Sequence, residues 1–193
     1  MVRRIASKDP RSARSTAAAD SRTLIAYYSR KGQNYGSAGI VDLPVGNTEV
    51  AATMIQAATG GELLRLDTVK EYPGDYHAAT EVAKSELREG ARPELRNLPH
   101  DIDGYDVVFV GYPIWWGTPP MAVFTFLDAY DFTGKTVVPF CTHEGSGMGR
   151  SERDIETACP GARVLDGLAI RGATVQGAEA DIVRWIKATG LTF

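Results

Sequence analysis

Long apolar stretches are missing from this 193-residue chain, and no run approaches the roughly 18–20 residues that span a bilayer, which excludes membrane insertion. Cysteine is scarce. Cys141 and Cys159 cannot form a disulfide framework in a chain this size, and neither belongs to a Cys-x-x-Cys pair. The three histidines offer no metal-ligand spacing, so no metal is expected. No apolar core of a signal peptide follows Arg3-Arg4, because Ala6-Ser7-Lys8-Asp9-Pro10 is polar; the mature protein is expected in the cytoplasm.

What is present is an ordinary globular composition, 44% hydrophobic and 23% charged, which excludes fibrous and wholly disordered classes. At ~150 residues per domain the length allows one domain with an appendage. The net charge of −3 conceals an asymmetry. Residues 1–22 carry six basic and two acidic side chains, whereas the remaining body carries fifteen basic and twenty-two acidic, a net −7. An acidic body argues against nucleic acid as the partner. Residues 1–22, rich in Ser, Ala and Arg and without apolar periodicity, read as a solvated, poorly ordered leader, and 23–193 as the folded domain.

Past residue 22 the pattern alternates. Strand-length apolar runs occur at 23–28, 62–67, 105–112, 135–141 and, in broken form, 163–170. Helical periodicity falls between them at 47–59, 75–89, 118–130, from 151 to just before Pro160, and at 178–189. Asn47 reads as an N-cap, Thr118-Pro119 as a cap and first-turn pair, and Ser151 with Asp154 as a capping box. Five strands alternating with five helices predict an α/β fold: a three-layer, doubly wound, five-stranded parallel sheet. In such sheets ligands bind beyond the carboxyl ends of the strands, where the strand order reverses. Three strand exits are rich in glycine, hydroxyls or aromatics, and the order that makes those strands neighbours is 2-1-3-4-5.

The first exit runs Ser29-Arg30-Lys31-Gly32 and, after a loop, Gly46-Asn47-Thr48 at a helix start. Side-chain donors, a close-approach glycine and free helix N–H groups suit an anion. The segment matches neither the triphosphate loop nor Gly-x-Gly-x-x-Gly, so a phosphate monoester fits better; plain N-capping by Asn47 is the alternative. The second exit is Pro113-Ile114-Trp115-Trp116-Gly117-Thr118. Successive side chains point opposite ways, so one indole can pack down while the other, with Trp116 favoured, covers a flat ligand. Two buried tryptophans are the alternative. Gly117 is the residue whose conformational freedom would let this loop reorient a carbonyl. The third exit is Thr142-His143-Glu144-Gly145-Ser146-Gly147. A Cys141, His143, Glu144 nucleophilic set is disfavoured because neighbours on an extended chain diverge, and eight residues separate Cys141 from Arg150, too many for a phosphatase loop. Glycine and serine donors meeting a ring edge is the better reading.

The order YYSR…GNTE, GYPIWWGTPP, PFCTHEGSGMGRS resembles the flavodoxin-like family, in particular a bacterial subgroup carrying the paired tryptophans, over about residues 23–190. The resemblance implies non-covalently bound FMN. Ser29, Arg30, Asn47 and Thr48 would then hold its phosphate, Pro113, Ile114, Trp115, Trp116 and Gly117 would line the isoalloxazine, and Thr142, His143, Glu144, Gly145, Ser146 and Gly147 would meet its pyrimidine edge. One departure is plain: residues 31–45 interrupt the usual short phosphate loop, and a loop of that length could serve as a lid or a partner surface. Two functions follow: a flavodoxin transferring electrons between redox partner proteins, favoured by the acidic body, or an NAD(P)H-dependent FMN oxidoreductase acting on quinones or similar small electron acceptors.

Overall fold

A computed structural model of the chain describes residues 22–193. The leader expected at residues 1–22 therefore lies, apart from Arg22, outside the described residues. Strand β1 (Thr23–Tyr27, TLIAY) is buried at all five positions, and a strand with no exposed face needs cover on both sides. Its neighbours are β4 (Glu62–Arg65) and β5 (Val107–Pro113), both parallel to it, and β6 (Thr136–His143) pairs parallel to β5. Two short strands, β7 (Arg163–Val164) and β8 (Leu168–Arg171), then pair parallel to β6 one after the other. The order is the expected 2-1-3-4-5, with two pieces filling the fifth place.

The break has a physical cause. Lys135 and Val137 accept the N–H groups of Arg163 and Leu165, so odd-numbered residues of β6 face this side. Pro139, the next in that series, has no N–H to give. β7 pairs with Thr136–Val137 and β8 with Phe140–His143, leaving Pro139 in the gap.

Alternation along the strands divides the core in two. Leu24, Ala26, Val108, Val110 and Tyr112 pack with α3 (Met121–Ala129) and α4 (Ser151–Ala158), and Leu87 of α2 (Tyr76–Glu89) joins them. On the other side Ile25, Phe109, Val138 and Phe140 pack with α1 (Asn47–Thr59) and α5 (Glu179–Ala188). Among the described residues no helix is long and apolar enough to cross a membrane.

Three cap expectations are corrected. Gly46, not Asn47, caps α1, which makes Asn47 the first helical residue. α3 starts at Met121 after Pro120, because Thr118 closes a turn with Trp115 and donates its hydroxyl to Asp154. Ser151 and Asp154 form no capping box: Arg150 is the cap residue, and the Ser151 hydroxyl donates to the Met148 carbonyl. The interrupting segment is a β-hairpin, β2 (Gly32–Gly36) and β3 (Gly39–Leu43), in a sheet of its own.

Gly111 sits in register between Tyr27 and Phe140, and a Cβ there would stand 2.1 Å from the Phe140 ring. Gly111→Ala should therefore lower stability by about 1–3 kcal/mol through overpacking, read as a lower urea midpoint with an unchanged denaturant slope.

Candidate functional site

The loops that leave β1, β5, β6 and β8 at their carboxyl ends enclose a cavity of about 520 Å³, within the range of roughly 300–1,000 Å³ usual for cofactor sites. The start of α1 lies on its wall. Gly46 brings the backbone close beneath Ser29, since a Cβ there would fall 2.2 Å from Ser29 Oγ. Ser29 itself is buried, does not reach the wall, and accepts the Glu49 N–H at 3.0 Å. It thereby caps the third N–H of α1 from a distance, while Asn47 and Thr48, whose N–H groups have no intrahelical partner, do line the cavity. The Thr48 hydroxyl pairs with that of Thr142 at 2.8 Å, tying the first exit to the third.

Arg30 lines the cavity but uses its guanidinium within the protein. It donates to the carbonyls of Gln33, Pro73 and Gly74 at 3.1, 2.9 and 2.8 Å. It thus straps the hairpin to the start of α2, and Gln33 Oε1 reinforces the strap by accepting the Tyr76 N–H.

The two tryptophans divide as alternation predicts. Trp115 packs edge-on against Tyr28 and Tyr72, with ring centroids 5.4 and 5.1 Å away. Trp116 is 47% exposed, donates its indole N–H to the Thr80 carbonyl and lies 5.2 Å beneath Lys84 Nζ. Pro113, Ile114 and both indoles line the cavity. Trp115 and Thr118 exchange both backbone hydrogen bonds around Trp116 (φ +54°) and Gly117 (φ +80°), the pattern of a type I′ turn. Gly117 lies off the wall, and its carbonyl accepts the Arg150 N–H at 2.9 Å. Reversing the central peptide would move Trp116 into backbone space dominated by glycine, so this turn is held rather than free.

In the third exit Thr142, His143, Glu144, Gly145 and Ser146 reach the cavity, and Gly147 does not. His143 Nδ1 accepts the N–H groups of Gly145 and Gly147 at 2.9 and 3.2 Å, so the ring shapes the loop and carries its proton on Nε2. Burial, opposed by Glu144 and aided by Arg171, holds His143 below the ordinary imidazole value. Cys141 is buried, with its thiol pushed up to about 12 by burial, and is no nucleophile at neutral pH. Glu144 Oε2 is buried and has no hydrogen-bond partner among the described residues, although it forms an ion pair with Arg171 Nε at 3.6 Å. Gly172, after β8, leaves room for this: a Cβ there would come within 2.6 Å of Glu144 Oε1 and 2.3 Å of Asn47 Nδ2.

Several wall residues escape a reading of strand exits. Asn34 and Tyr35 come from the hairpin, Tyr76, Ala79, Thr80 and Ala83 from α2, and Gly172 from the last exit. The alternation of GQNYG and GIVDL around Ser37-Ala38 was the available signal for the hairpin. No group of His, Cys, Asp and Glu among the described residues could hold a metal.

A family model described as Flavodoxin matches residues 22–189. The chain belongs to the flavodoxin family. Among solved structures, a Bacteroides eggerthii protein assigned as a flavoprotein is 29% identical, with a match covering 89% of this chain and 99% of that one at a TM-score of 0.73. A Bacteroides uniformis protein assigned likewise is 28% identical, covering 86% and 98% at 0.70. The flavoprotein of Lactobacillus acidophilus in complex with FMN shares the fold at 22% identity, covering 83% and 97% at 0.60. No curated protein matches the chain.

FMN is the cofactor that membership in the flavodoxin family implies, and two observations of this cavity fit it. The start of α1, cradled by Gly46, offers open N–H groups to a phosphate. The unsatisfied Glu144 oxygen suits a ring edge that presents an N–H. Asn47 and Thr48 would hold the phosphate, Trp116 a ring face, and residues 142–146 the pyrimidine edge.

Thr48→Ala is expected to weaken FMN by about 1.5–3 kcal/mol while leaving riboflavin nearly unaffected, as read by flavin fluorescence titration. His143 gives a pH dependence whose sign follows from its lowered value. The unfolded chain takes up the His143 proton below about pH 6.5 and the folded chain resists it. The contribution of His143 is complete above that pH and is lost as pH falls further. Between pH 7.5 and 5.5 wild type should lose more thermal stability than His143→Ala.

Proposed function

We propose that this protein is an FMN-dependent redox protein that exchanges electrons at the carboxyl edge of its sheet. The observation that carries the reading is the convergence on one cavity of the open start of α1 and the Trp116 turn. FMN, the cofactor of the family to which the chain belongs, supplies reversible uptake and release of electrons when bound. The protein's share is to hold and shield it. Asn47 and Thr48 anchor the phosphate, the Trp116 indole keeps water from a ring face, and the His143-ordered loop presents Glu144 to the ring edge.

The electron partner follows one of two readings. Transfer between redox partner proteins is supported by the body's fifteen basic against twenty-two acidic side chains, a charge suited to a basic docking surface. NAD(P)H-dependent reduction of quinones or other small acceptors is supported by the wall that continues past the strand exits onto the hairpin and α2. Buried free thiols at Cys141 and Cys159 agree with a reducing compartment such as the cytoplasm.

The absorption spectrum of the purified protein, with its cofactor extracted, comes first; a cofactor other than FMN overturns the whole reading. Stopped-flow mixing with NADPH then separates the two partners. Slow bleaching together with salt-sensitive association to a basic redox protein is expected for the carrier, whereas fast bleaching without any partner protein overturns it.

A further inference from the structure

The loop that leaves β6 takes its shape from a single atom. Gly145 (φ +142°) and Gly147 (φ +61°) stand in backbone conformations that only glycine adopts readily, so the chain there has little stiffness of its own. Their N–H groups both end on His143 Nδ1, at 2.9 and 3.2 Å. A backbone N–H can only donate, so this nitrogen must carry a lone pair and no proton for the loop to keep its form. The other hydrogen bonds of residues 145–147 among the described residues are weak. The Ser146 hydroxyl donates to the adjacent Gly147 carbonyl at 3.4 Å, and the Cys141 thiol reaches the same carbonyl at 3.6 Å.

The same loop carries Glu144, Gly145 and Ser146 to the cavity wall, so what Nδ1 orders is the surface a ring edge would meet. Burial disfavours the protonated imidazole most, Glu144 beside it in the chain favours it, and Arg171, in register with it at the end of β8, opposes it. The start of α1 and the exit of β5 bring Asn47, Thr48, Pro113 and Ile114 to the wall, none of them titratable. Arg30, Tyr35 and Tyr76, the other titratable wall residues, gather where the hairpin meets α2. A proton taken from solvent onto Nδ1 turns the acceptor into a donor. Two N–H groups then face a third, and the loop loses both of its bonds at once.

We propose that His143 is a positioning residue that ties cofactor retention to pH: with Nδ1 unprotonated it holds residues 144–147 in the form that binds a flavin, and with Nδ1 protonated it releases the loop and the flavin with it. The proposal rests on the reading that a flavin occupies the cavity. The domain stays folded throughout and only this loop changes, so the effect is distinct from a loss of overall stability in acid. By linkage the flavin resists the proton in turn, and binding lowers the pH at which His143 titrates.

The test uses riboflavin on the full-length protein, because the FMN phosphate itself changes charge at a pKa of about 6. The His143 midpoint without flavin is read from its imidazole NMR signals, identified by their absence from His143→Asn, and riboflavin affinity by fluorescence titration from pH 7.5 to 4.0. Asparagine places an oxygen acceptor where Nδ1 stood, in a turn it favours, and cannot titrate. At pH 7.5 His143→Asn should bind riboflavin more tightly than His143→Ala. One pH unit below the midpoint the ratio of wild-type to His143→Asn affinity should have fallen about tenfold, since only about a tenth of the wild type is then competent; anything Glu144 does in acid is common to both. Bound riboflavin should lower the midpoint. A ratio constant with pH, a midpoint below pH 5, an asparagine variant no better than alanine, or circular dichroism showing unfolding before the midpoint each overturns the proposal. If wild type binds neither FMN nor riboflavin at pH 7.5, the functional reading fails separately. The protection of the Gly145 and Gly147 amides from hydrogen exchange then still decides the latch: it should drop through the midpoint in wild type and not in His143→Asn.

Discussion

Parallel pairing of β1 with β5 and of β5 with β6, all buried on both faces, sends three loops out of the same edge of the sheet. Everything chemical in this molecule depends on that constraint. Strands sealed on both faces can place polar groups only at their ends, and parallel strands share an end. The hydroxyl of Thr48 meets that of Thr142, ninety-four residues away, because β1 and β6 flank β5 in one register.

The loops are stiff because their own side chains bind their backbones. His143 gathers the N–H groups of Gly145 and Gly147, Ser29 takes that of Glu49, and Arg30 collects three carbonyls. Arg150 holds the Gly117 carbonyl from the start of α4. Of these, the part-buried bonds from Arg30 to Pro73, from Glu49 to Ser29 and from Gly147 to His143 satisfy polar groups that would otherwise cost about 1–3 kcal/mol. The groups left over, the first N–H groups of α1, the Trp116 face and Glu144 Oε2, are those a ligand would complete.

The hairpin changes what such an edge can do. Inserted between the exit of β1 and the start of α1, it does not lie over the sheet; it pairs with itself and leans on the start of α2. Its effect is to extend the cavity sideways with Tyr35 and Tyr76, away from the groups that suit a phosphate.

Strand order, helix positions and the three exit loops were legible in the residues themselves, because period and turn chemistry are local. TLIAY, VVFVGYP and TVVPFCTH announce buried strands by composition, and the break in the last strand traces to Pro139. That one indole packs and the other stays open followed from alternation, while which of the two is open, Trp116, was settled only by the fold. Which donors stay available was not legible either, since hydrogen-bond partners are chosen across the fold: Arg30 finds Pro73, forty-three residues on. Ser29, Arg30 and His143 have the chemistry of ligand-binding residues in one dimension, yet in three they hold the backbone. The hairpin side of the cavity was hidden for the same reason. Tyr35 and Tyr76 lie on separate elements, and only the packing of the hairpin against α2 makes one surface of them.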